Sequence, residues 1–149
     1  MREILMTVFQ FTIKNFKEIK ILEPNAIEDG FFEDWPNPPP KETHFNIMRY
    51  SSACFVAMNN EGKIVGFVTA ISDGFLSAYI PLLEVLPKYR GAGIATKLIE
   101  AIKNKLQNLY MLDLSCDENL IPFYERFGFK RGVSMNHRNY KRQSAEEIY

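Results

Sequence analysis

Lys88-Tyr89-Arg90-Gly91-Ala92-Gly93-Ile94-Ala95-Thr96 is the stretch whose residue types come closest to chemistry, and that chemistry is anion binding. Two glycines, with no side chains to block an approach, open an amphipathic helix just after the apolar run Tyr79 to Leu86. The orphan amides of a first helical turn, at the positive end of the helix dipole, bind phosphate oxygens without a basic side chain. Lys88 and Arg90 add charge beside them. A dinucleotide loop wants a third glycine or alanine where Thr96 stands, and an acid on a second strand about 20 residues on. The ATP/GTP loop wants Gly-Lys-Ser/Thr, which the chain lacks. The same glycines also suit a plain helix-capping turn, so the residues alone leave the ligand open.

The other reactive side chains form no constellation. His44 and His137 have neither metal-ligand spacing nor a serine or cysteine triad, and are expected to be solvent-exposed or satisfied. The two cysteines, Cys54 and Cys116, make no disulfide framework or zinc set and read as buried free thiols. No metal is expected. Asp73 in Ser72-Asp73-Gly74 suits turn chemistry.

The elements that must position these residues begin with a strand at about Thr7 to Ile13 and a poorly patterned stretch to Gly30. Phe31 to Pro40 combines three aromatics with four prolines and reads as a stiff, extended loop. A helix follows from about Lys41 to Ser51, then strands at Ala53 to Met58 and Ile64 to Ile71 joined by the hairpin turn Asn59 to Lys63. A strand from Leu76 to Leu86 ends at Pro87. Ile94, Leu98, Ile102 and Leu106 then recur at helical spacing, predicting a helix to about Asn108. Leu109 to Ser115 is strand-like, Leu120 to Phe127 a short helix capped by Gly128, and two final strands are expected at Phe129 to Lys130 and Met135 to Tyr140. Antiparallel strands followed by one strand-helix-strand crossover give a mixed α/β (α+β) fold. Strand alternation puts Tyr79, Pro81 and Leu83 on one face and Ile80, Leu82 and Glu84 on the other.

At 149 residues, with 46% hydrophobic and 24% charged, the chain reads as one globular domain over 1–149. Eighteen basic and eighteen acidic side chains cancel, which argues against nucleic acid or an anionic membrane as partner. The N-terminal stretch carries an acid and polar residues and does not read as a signal peptide, and no run reaches the ~20 apolar residues of a membrane span. A cytoplasmic, reducing location is the expectation.

Two separated stretches, Leu83 to Ala95 and Asn119-Leu120-Ile121-Pro122-Phe123-Tyr124-Glu125-Arg126-Phe127-Gly128-Phe129, resemble the Gcn5-related N-acetyltransferase (GNAT) family. The resemblance covers roughly residues 53 to 140. It implies the acyl-CoA N-acyltransferase fold, a central mixed, mostly antiparallel sheet with helices on both faces, and acetyl-CoA as co-substrate. By that resemblance Lys88, Arg90, Gly91, Ala92, Gly93, Ile94, Ala95 and Thr96 form the pyrophosphate loop, with Lys88 departing from the family's usual Gln or Arg. Val85 runs beside the pantetheine arm, the Leu83 N–H meets the thioester oxygen, and Asn119 bonds the pantetheine, although its residue type equally suits a helix cap.

Acyl transfer from a thioester to an amine needs a neutral nitrogen, a donor for the developing oxyanion and a proton for the leaving thiolate. Tyr124 matches the family's tyrosine near the coenzyme sulfur and is the expected general acid; the alternative is a packing aromatic between Phe123 and Phe127. Tyr79 lines the expected route for water-mediated deprotonation, since no acid is expected on its face. Phe31, Phe32 and Trp35 lie where family members close over the acceptor. The expected reaction is N-acetylation of a primary amine, of a small molecule rather than a protein, with a homodimer allowed. The competitors are transfer of a longer acyl group, a protein amine as acceptor, and a non-catalytic CoA sensor.

Overall fold

The computed structural model describes residues 10–20 and 22–146. Five strands, β1 (Phe11–Asn15), β2 (Ala53–Asn59), β3 (Ile64–Ser72), β4 (Ser77–Val85) and β5 (Met111–Leu114), lie in chain order in one sheet. The first four pair antiparallel, whereas β5 joins β4 in parallel, Ser77 opposite Met111 and Ile80 opposite Leu114. A parallel partner needs a crossover, and helix α2 (Ile94–Lys105) supplies it. The N-terminal strand starts at Phe11; positions 7–9 of the expected strand lie outside the described residues.

The sheet is covered on both faces. Leu98, Ile99 and Ile102 of α2 pack on Ala57, Val68 and Ala70. On the opposite face, Met48 of α1 (Lys41–Tyr50) packs with Cys54, Val56, Ile64 and Phe67. The β2–β3 hairpin closes as its composition predicts: Asn59 Oδ1 accepts from the Glu61 and Lys63 amides, and Gly62 takes φ 73°.

Two expectations fail here. The final strands at Phe129 to Lys130 and Met135 to Tyr140 are absent; that segment is irregular, with Val133 and Met135 almost fully exposed, and ends in a 3-10 turn at Tyr140–Arg142. Between Met135 and Tyr140 stand only polar and basic residues, so pairing would bury no apolar face. The loop after Gly30 is also not extended. It turns through Asp34, with Gly30 at φ 109° and Phe32 at φ 59°.

The third difference is a bulge. Thr69 pairs with Leu82 but Ile71 with Tyr79, so Ala70 faces two residues, Ile80 and Pro81. A proline, with no N–H for the ladder, fits the extra position. The bulge reverses the parity of everything after it. Gly66 lies against α2, where a Cβ would meet Ile94 Cγ2 at 3.0 Å, and Gly66 pairs with Val85. Ile80, Leu83 and Val85 therefore share the α2 face, whereas Tyr79, Leu82 and Glu84 share the α1 face. The simple alternation expected from sequence is corrected accordingly.

Candidate active site

The C-terminal end of β4 is an open edge. The Leu86 N–H donates to Val65 O at 3.0 Å, toward β3. Direction alternates along a strand, so Leu83 and Val85 turn their N–H groups the other way. β5 stops at Leu114 opposite Ile80, so among the described residues this edge of Leu83 to Val85 has no strand partner. The one bond received there is Arg90 Nε to Val85 O, 3.1 Å.

The edge leads into the glycine turn. A 3-10 turn at Pro87–Tyr89 precedes it, anchored by buried Tyr89, whose hydroxyl accepts from Asn59 Nδ2 at 3.2 Å. Gly91 and Gly93 take φ 82° and 84°, and a Cβ on either would meet nothing within 4 Å. Gly93 is the N-cap of α2 and no side chain caps the helix. The first amide to find its helical partner is that of Lys97, on Gly93 O at 3.1 Å. The amides of Ile94, Ala95 and Thr96 thus stand in the geometry that favours an anion. The Ile94 side chain is buried in the core, so only its backbone can serve a ligand. Lys88 is exposed, its Nζ 5.7 Å from the centre of the Tyr89 ring. The residues fit the diphosphate and pantetheine of a coenzyme A: a bare amide turn for one, an extended open edge for the other.

Arg126 is a neighbour that the sequence reading missed. Its Nη2 donates to Thr96 Oγ1 at 3.3 Å, and its guanidinium lies 5.4 and 5.5 Å from the rings of Phe123 and Phe127. The only signal was an arginine two residues after the tyrosine of the second stretch.

Helix α3 (Ile121–Glu125) carries Tyr124 and is shorter than the expected Leu120 to Phe127: its C-cap is Arg126, and Gly128, φ 87°, lies in the turn that follows. Tyr124 is 9% exposed, stacked edge-on against Phe123 and Phe129, and its hydroxyl has no hydrogen-bond partner among the described residues. Burial, with a smaller contribution from Cys116, raises its pKa to about 12. Tyr124 is therefore a proton holder at neutral pH. Asn119 is exposed in a 3-10 turn, and the cap position of α3 is Leu120. Cys116 is exposed, not buried, because it follows the end of β5; Cys54 is buried, and burial lifts its thiol to about 12.

Tyr79 and Tyr124 line one cavity of about 1050 Å³ along β5, together with Leu112, Asp113, Leu114 and Cys116. None of Lys88 to Thr96 lines it; the glycine turn lies outside this cavity. Tyr79 has two carboxylates on its face, contrary to expectation: Glu84 through the bulge, and Asp113 as its cross-strand partner. Asp73 is turn chemistry: its Oδ1 accepts from Phe75, Leu76 and Ser77, which hold its pKa down at about 2.

The loop expected to close over the acceptor buries only part of its aromatic surface. Phe32 is 3% exposed and Phe31 is half-buried, while Trp35 presents a face to solvent. Phe32 stacks on Trp35 and His44 with centroids 4.9 Å apart in both cases. Its positive φ costs a bulky residue on the order of 1–3 kcal/mol. The Phe32 N–H donates to Glu84 Oε1 at 2.8 Å. Burial raises the Glu84 pKa; the Phe32 amide and Arg90 oppose that, and Asp34 and Glu33 add to it. His44 is neither exposed nor satisfied: it is 2% exposed, ringed by Phe31, Phe32 and Phe67, with Nε2 unpartnered. That burial drives its pKa down to about 4. Among the described residues no three His, Cys, Asp or Glu side chains gather as a metal site, and no helix is long and apolar enough to cross a membrane.

A solved structure of a proposed acetyltransferase from Deinococcus radiodurans R1 is 41% identical, superposes with a TM-score of 0.84, and covers 90% of this chain and 92% of its own. N-alpha-acetyltransferase 30 of Schizosaccharomyces pombe is 38% identical over 94 residues, 57% of this chain and 62% of that relative. GCN5-related N-acetyltransferase 2, chloroplastic, of Arabidopsis thaliana is 31% identical over 72 residues, 47% of this chain and 28% of its own length. The chain thus spans less than two thirds of either curated relative. The family model described as "Acetyltransferase (GNAT) family" matches residues 23–129, which takes in the open β4 edge, the glycine turn and Tyr124, and the chain belongs to that family.

Proposed function

We propose that this protein transfers an acetyl group from acetyl-CoA to a primary amine of a small molecule. The observation that carries the reading is the continuous run from the outward amides of Leu83 and Val85 to the uncapped turn at Gly91 and Gly93. When bound, acetyl-CoA supplies an acyl group already activated as a thioester. Gly91, Gly93 and the first-turn amides of α2 bind its phosphates, with Lys88, Arg90 and Arg126 as flanking charge. Asn119, with no intramolecular cap to make, is free to bond the pantetheine. The Leu83 N–H is preorganised for a developing oxyanion. Tyr124 Oη holds its proton at neutral pH and delivers it to a leaving thiolate. Tyr79 lines the cavity through which water removes a proton from the incoming ammonium, and Trp35 offers the exposed ring of the acceptor loop. No covalent intermediate on the protein is involved.

A second acceptor class, the terminal amine of a polypeptide, is favoured by the fission-yeast relative's name. A thiol-release assay with acetyl-CoA separates the two, run across alkylamines, polyamines, arylalkylamines and short peptides with free N-termini. Turnover of peptides alone refutes the small-molecule reading. Coenzyme binding with every amine inert points to a sensor, and faster turnover with propionyl- or butyryl-CoA to a longer acyl group.

A further inference from the structure

The geometry points to Glu84 as the positioning residue of the acceptor loop: from the α1 face of the coenzyme strand, its carboxylate holds the Phe32 amide and so fixes where Trp35 stands. The inference rests on the acetyl-transfer reading, and it deepens that reading by joining the two halves of the site through one side chain. Three observations carry it. The 2.8 Å bond spans 52 positions of sequence and, among the described residues, is the one side-chain hydrogen bond between this loop and the sheet. The bonded amide belongs to Phe32, held at φ 59°, a conformation that a bulky residue keeps only when its surroundings enforce it. Phe32 is also the residue on which Trp35 rests, at 4.9 Å. Glu84 lies between Leu83 and Val85, whose amides face the coenzyme, so the strand that presents the thioester also sets the acceptor loop.

Trp35 is the only tryptophan in the chain, so its emission reports the loop without any substrate. The test compares Glu84→Ala with Glu84→Gln, which keeps an acceptor oxygen for the Phe32 amide. Glu84→Ala is expected to red-shift Trp35 emission and increase its quenching by acrylamide. It should also raise KM for the best amine of the panel about tenfold, the scale of one lost charge-assisted bond, with kcat and the acetyl-CoA Kd within about twofold. Glu84→Gln is expected to restore emission and KM together. Unchanged Trp35 emission in Glu84→Ala overturns the proposal. So does a collapse of kcat in Glu84→Gln, which assigns Glu84 a proton-transfer role, or a loss of far-UV dichroism in Glu84→Ala in step with activity, which leaves it a structural role only. A parent that binds acetyl-CoA but acetylates no amine sinks the acetyl-transfer reading instead, an outcome distinguishable because Trp35 emission and coenzyme calorimetry need no turnover.

Discussion

Gly93→Ala and Gly62→Ala make the same covalent change at two left-handed positions, and only Gly93 belongs to the proposed anion site. Gly93 takes φ 84° at the N-cap of α2, and Gly62 takes φ 73° in the β2–β3 hairpin. A Cβ at either position would meet nothing within 4 Å, so neither substitution clashes with the protein. The cost is conformational in both cases, about 1–2 kcal/mol for a left-handed residue that bears a Cβ. For a chain of this size that corresponds to a fall in Tm of about 2–8 °C. The two variants should therefore be destabilised alike. Only Gly93→Ala also disturbs the amides of Ile94, Ala95 and Thr96. Losing one hydrogen bond to a charged phosphate, at about 1.5–3 kcal/mol, raises the acetyl-CoA Kd about tenfold to a hundredfold. Scanning calorimetry and isothermal titration at low salt measure both quantities on the same samples. Equal Tm losses with a Gly93→Ala Kd within about twofold of the parent would refute the assignment of the anion to this turn. A Gly62→Ala variant that weakens binding equally would trace the effect to global stability.

Tyr124→Phe should lower kcat by about a hundredfold or more in the thiol-release assay, with acetyl-CoA Kd within about twofold, because it removes a proton donor and no packing surface. Tyr124 also predicts an alkaline limb. Its folded pKa is raised from 10.0 to about 12, so its contribution is complete below pH 10 and is lost as pH rises toward 12; Tyr124→Phe flattens that limb of a Tm–pH profile. His44 has the opposite sign. Its folded pKa falls from 6.5 to about 4, so stability is complete above pH 6.5 and is lost as pH falls toward 4, by about 3 kcal/mol in the limit. His44→Phe, which fills similar space without an unpartnered nitrogen, should retain neutral-pH stability and remove that acid limb in equilibrium denaturation. Arg126→Ala should raise the acetyl-CoA Kd about threefold to tenfold and flatten its salt dependence, the scale of one charged contact near phosphate.

The helix behind the turn and the hairpin were legible because each is a local pattern, a four-residue apolar repeat and an Asn-Asn-Glu-Gly turn, whereas α3 stops at Glu125 and leaves Gly128 in the turn beyond it. What was not legible depended on pairing. His44 read as an ordinary polar residue because nothing in its neighbourhood foretold that Phe31, Phe32 and Phe67, from two other segments, would close around it. Arg126 came to the glycine turn through a contact with the first turn of α2 that lies 30 residues away in sequence. The strand expected at Met135 to Tyr140 had no alternating apolar face to support it.

Pro81 is the instructive case, because its consequence can be derived. Without the extra residue, strict alternation from Ile80 carries Leu82 and Glu84 onto the α2 face, among Val68, Leu98 and Ile94, and turns Leu83 and Val85 outward from that core. An unpaired carboxylate in such surroundings costs several kcal/mol, and two apolar side chains lose their burial besides. A proline inside an otherwise apolar strand already argues against an uninterrupted ladder. Taken with the acid three residues later, it marks the one place where the parity must break. The bulge thus reconciles three demands on β4: Leu83 and Val85 in the core with their amides on the open edge, Tyr79 beside the cavity, and Glu84 under the acceptor loop.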